Sequence, residues 1–61
     1  MWSNDKKLEV IAFIVDTQVQ NNEADEGDKY LSSAHYAMEA IEAVLNDQQT
    51  NSILRQFLEA K

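Results

Sequence analysis

A chain of 61 residues builds only a small hydrophobic core, and with no Cys and a single His it has neither a disulfide nor an intrachain His/Cys metal site to reinforce it. Its net charge of −6 sets it against nucleic acid and anionic lipid. The longest apolar run, Val10 to Val15, falls far short of the roughly 20 residues that cross a bilayer, so no membrane span is expected.

Lys6 and Lys7 precede that run, but Asp16 follows it directly, so no signal peptide is read. The missing cysteines suit a reducing cytoplasm, which is the expected location. Association with itself or with a partner is the remaining way to reinforce so small a core.

The first predicted element is a helix over about 4–20. Ser3 and Asn4 suit its N-cap, and Asp5 complements the dipole in the first turn. At 100° per residue Leu8, Ile11, Ala12, Val15 and Val19 share one face, which is expected to meet the rest of the chain. Val10, Phe13 and Ile14, flanking Thr17, form a second apolar strip that one small core does not need. That strip is expected to face another chain. A β-strand is the competing reading of 8–15, rich in β-branched and aromatic residues; paired with a second copy, it would give a ribbon-helix-helix dimer.

A turn is expected around the only Gly, Gly27, in a chain without Pro. The second helix then starts near 23, capped by Asn22, or near 28, capped by Asp28, and runs to about 46. Tyr30, Leu31, Ala34, Ala37, Met38, Ile41, Val44 and Leu45 make its broad apolar stripe, while Ser32, His35, Glu39 and Glu42 face water. Tyr36, Ala40 and Ala43 line up as a strip of mostly small residues that would let another helix approach closely.

Cap-forming residues between Asn46 and Asn51 predict a break before a third, short helix over about 50–60, with Ile53, Leu54, Phe57 and Leu58 as its apolar edge. The expected fold is therefore all-α over 1–61: an antiparallel hairpin of two long helices plus a short third, assembled as an oligomeric helical bundle. No internal repeat is present, and a solenoid needs several.

Motifs that carry chemistry fail on inspection. With Gly27 as the sixth position of a calcium loop, Ala24 and Ser33 would stand where oxygen ligands are required, one of them the bidentate Glu. Ser32, Ser33 and His35 lie close in sequence, but a regular helix supplies no free amides for an oxyanion hole. No glycine-rich phosphate loop is present. No enzyme, metal or cofactor is expected.

Between Asp16 and Asp47 the acids are Asp16, Glu23, Asp25, Glu26, Asp28, Glu39, Glu42 and Asp47, against Lys29 alone. The leading expectation is a non-enzymatic acidic helical protein, a small regulator or inhibitor. It would form a homodimer or higher oligomer through Val10, Phe13, Ile14, Thr17, Tyr36, Ala40 and Ala43. Glu23, Asp25, Glu26, Asp28, Glu39 and Glu42 would present an acidic surface to a basic protein. The alternatives are a ribbon-helix-helix DNA-binding repressor, which the charge disfavours, and a nucleotide binder with a pocket between subunits using Lys29, Tyr30 and Tyr36.

Overall fold

The computed structural model describes residues 2–24 and 31–59, with 22–24 described by backbone only. Three helices pack together, one long and two shorter: α1 (Asn4–Ala24), α2 (Ala34–Leu45) and α3 (Ser52–Leu58). Residues 8–15 lie inside α1, so the strand reading is overturned, and with it the paired ribbon that a ribbon-helix-helix dimer requires.

Ser3 caps α1, its Oγ accepting from the Lys6 amide at 3.2 Å, which satisfies one of the orphan donors of the first turn. The helix outruns its expected end by four residues, through the polar stretch where the second helix had been expected to begin. Asn21 Nδ2 donates to the Thr17 carbonyl at 2.9 Å and Gln20 Nε2 to Asp16 Oδ2 at 3.0 Å, so these polar side chains bond back along the helix.

The second helix starts later than expected, at Ala34. Leu31, Ser32 and Ser33 are not helical, and Ser33 is extended (φ −96, ψ 124) at the N-cap. Serine competes with helical hydrogen bonding and favours such boundaries, and Gln18 Nε2 of α1 donates to the Ser32 carbonyl at 3.2 Å. The expected turn at Gly27, and Lys29 and Tyr30, lie outside the described residues.

α2 closes in a Schellman motif. The Gln48 amide donates to the Ala43 carbonyl at 2.8 Å and the Asp47 amide to Val44 at 3.2 Å, with Asp47 in the left-handed region at φ 58. Glycine is usual at this position; Asp tolerates it better than most residues. Asn51 caps α3, its Oδ1 accepting from Ile53 at 2.9 Å and Leu54 at 3.1 Å.

The core is Val10 and Ile14 of α1, Ala37, Ala40, Ala43 and Val44 of α2, and Leu54 and Phe57 of α3. Its logic is large against small. The alanines of α2 leave room, and Phe57, Leu54 and Ile14, each with no exposed surface, fill it. Trp2, Ile11, Leu31, Tyr36, Ile41, Ile53 and Leu58 pack partly buried around this centre.

This arrangement exchanges the expected roles of the two strips of α1. Val10, Ile14 and Thr17 face inward, whereas Leu8 (65% exposed), Val15 and Val19 face out. On α2 the small-residue strip is likewise internal at Ala40 and Ala43, and Met38 (70% exposed) and Leu45 face out. Side-chain size decides the matter: the chain closes on the alanine face of α2, which is not where apolar residues are most numerous.

An outward apolar band with acidic rims

Two contacts fix how α1 and α2 run past each other. Lys7 Nζ of the first turn of α1 meets Asp47 Oδ1 just beyond the end of α2 at 3.0 Å, and Gln18 reaches Ser32 just before its start. The helices are therefore antiparallel. Stepping inward from these anchors, the register sets Leu8 beside Leu45, Ile11 beside Ile41, Val15 beside Met38 and Val19 beside Ala34.

Helical geometry places these pairs on one side of the hairpin. Going round α1, the buried edge (Val10, Ile14, Thr17) gives way to the edge that meets α2 (Lys7, Ile11, Gln18), and then to Leu8, Val15 and Val19. Going round α2, the buried Ala40 and Val44 give way to Ala37 and Ile41, and then to Met38 and Leu45. On both helices the outward residues lie past the mutual contact edge, on the face turned away from α3. The opposite flank of α1 belongs to α3, where Leu58 borders a shallow hollow with Lys6, Glu9, Val10 and Phe13.

The result is an apolar band along the α1–α2 seam. From Leu8 to Val19 it spans about 16 Å, or three helical turns. Leu8, Val15, Val19, Met38 and Leu45 are all exposed, with the partly buried Ile11 and Ile41 forming its floor. Exposed apolar residues scattered singly need no explanation, but a contiguous row on neighbouring helices marks an interaction surface.

Acids border the band on both sides. Asp5 and Asp16 stand just beyond the strip on α1, with Glu9 one step further round, and all three are exposed. On α2 the exposed Glu42, Glu39 and His35 stand around the exposed Met38. His35 Nε2 lies 4.0 Å from Glu39 Oε2, and its ring meets Tyr36 edge-on at 5.4 Å.

Among the described residues no Lys or Arg stands on either rim. Lys7 is tied to Asp47, Arg55 pairs with Glu59 on α3 at 3.7 Å, and Lys6 lies on the α3 flank of α1.

The residues expected at an interface are thus divided. Val10, Ile14, Thr17, Ala40 and Ala43 are buried within the chain and have almost no surface to offer a second one. Phe13 and Tyr36 are partly buried at the margins of the core. Glu39 and Glu42 do lie on the surface; Glu23 falls in the last turn of α1, and Asp25, Glu26 and Asp28 lie outside the described residues. So do Lys29 and Tyr30 of the expected nucleotide pocket. The band residues themselves were legible as apolar but had been assigned to the core; the signal that reassigns them is the Ala37, Ala40 and Ala43 spacing, which marks the tight side of α2.

Among the described residues no group of His, Cys, Asp and Glu is placed to hold a metal ion, and no helix is long and apolar enough to cross a membrane. No family model, curated protein or solved structure matches the chain, so its function is read from this surface alone.

Proposed function

We propose that the protein is a non-enzymatic helical interaction module, whose working face is the apolar band of α1 and α2 and whose occupant is another protein. The observation that carries this reading is the continuity of Leu8, Val15 and Val19 with Leu45 and Met38 across the helix seam, on a molecule that already has a separate core. Covering apolar surface contributes about 25 cal/mol per Å², so a partner gains most by seating there. A small regulator or inhibitor acting by occupancy needs no further chemistry.

The test compares proteins captured from source cells by the unchanged protein and by a Val15→Glu, Met38→Glu variant, after circular dichroism has shown equal helicity. A specific protein held by the former and released by the latter is expected. Identical capture by both would remove the band from the function.

Self-association is the competing occupancy of the same face. It no longer rests on the Val10, Phe13 and Ile14 strip, and it would bring acidic rims together. It is therefore expected to require high salt, which sedimentation at low and high salt measures.

A further inference from the structure

Resting on the docking reading above, we infer that the band accepts a basic amphipathic helix, seated along the α1–α2 seam with Lys or Arg on both of its flanks. The form of the occupant follows from the surface. An added β-strand needs a sheet edge, and the described residues contain no strand. A polyproline segment needs an aromatic-lined groove, and among the described residues no aromatic side chain is exposed in the band. What the seam does offer is an apolar strip three turns long shared by two helices, a surface that an amphipathic helix covers with anchors at i, i+3 or i+4, and i+7.

The charge of the occupant follows from the rims. Asp5 and Asp16 on one side and Glu42 on the other, with Glu39 further round α2, would border a seated helix along both of its edges. The exposed Met38 suits the aliphatic stem of a Lys or Arg side chain in particular, because Glu42 and Glu39 stand next to it for the charged head. A second copy of this chain lacks that complement: its own band is bordered by the same acids, and the described Lys and Arg residues all lie off the rims. Like charges brought together across an interface count against that occupant, and opposite charges favour the basic one and speed its encounter.

The experiment uses three synthetic helices that share one leucine stripe and differ only in their flanks: lysine and arginine, glutamine, or glutamate. Titrated by fluorescence anisotropy against the full chain at low salt, the basic helix should bind at least about tenfold more tightly than the glutamine helix, and the glutamate helix should not bind. Raising the salt should close the gap between the first two.

Replacing Glu39 and Glu42 by Gln should weaken only the basic helix, whereas Val15→Glu with Met38→Glu should abolish binding of both. Equal affinity for the basic and glutamine helices, with both lost in the Val15, Met38 variant, would overturn the charge selection while leaving the docking face standing. Binding of none of the three, with a chain that dimerises at low salt through Val15 and Met38, would overturn the basic helix in favour of a second copy. Binding of none by a chain that stays monomeric at both salts would overturn this inference and count against the docking face itself.

Discussion

Lys7 Nζ and Asp47 Oδ1 meet at 3.0 Å across the open end of the α1–α2 hairpin, and Asp47 is also the residue that turns the chain out of α2 with a positive φ. One side chain therefore joins two tasks, ending a helix and clasping the neighbouring one. Both partners are partly shielded from solvent, Lys7 more than Asp47.

Substituting Asp47 by Ala removes the ion pair and leaves a residue that resists the left-handed conformation, so a loss of about 1–2 kcal/mol is expected. Asp47→Gly removes the same pair but adopts the conformation freely, so its loss should be under about 1 kcal/mol. Urea denaturation of the two variants beside Lys7→Met separates the terms. Equal losses for Ala and Gly would show that the backbone conformation contributes nothing.

The tight side of α2 is tested by enlargement. Ala40 has no exposed surface and Ala34 is exposed on the same helix. Ala40→Leu should destabilise by about 1–3 kcal/mol or more through overpacking. Ala34→Leu should stay within about 0.5 kcal/mol. Thermal unfolding followed by circular dichroism measures both.

The exchange of strips on α1 is tested by two neighbours in sequence. Ile14 is fully buried and Val15 is 47% exposed. Ile14→Ala should cost about 2–5 kcal/mol, enough to unfold a chain of this size, and Val15→Ala well under half of that. The reverse ranking would restore the strip of Leu8 and Val15 to the core.

At α3 the decisive group is the Asn51 carboxamide, which accepts from both Ile53 and Leu54. Asn51→Ala should cost about 1 kcal/mol, and Asn51→Asp, which retains the acceptor and adds charge at the positive end of the helix, should cost less. Because α3 has only seven residues and brings Leu54 and Phe57 to the core, the loss should appear in global unfolding.

Much of the fold can be read from residue pattern, and the reason differs by element. The start of α1 follows from Ser3, and the presence of α3 from Ile53, Leu54, Phe57 and Leu58, because caps and apolar spacing are local properties. The end of α1 and the start of α2 are less legible. From Gln20 onward the chain offers several polar residues that suit a cap or a helix interior equally, and Gln18 bonding to Ser32 is a contact across fourteen positions.

The inward face of α1 is the hardest to read. Leu8, Val15 and Val19 have the periodicity of a core strip as surely as Val10, Ile14 and Thr17 do. Only the volumes opposite them, alanines on α2 and the Phe57 ring from α3, select one strip over the other. The candidate site inherits that difficulty, since it is made of whatever the core leaves out.

Because α1 is apolar on two sides, the helix that carries Ile14 into the core also carries Val15 into the band. A helix seated on the band would press on the reverse of the same two helices that form the core. Whatever binds there would raise the unfolding midpoint by mass action, in proportion to its own concentration. Copies left without a partner would be the first to open and be cleaved, so the amount of this protein that persists would follow the amount of its partner.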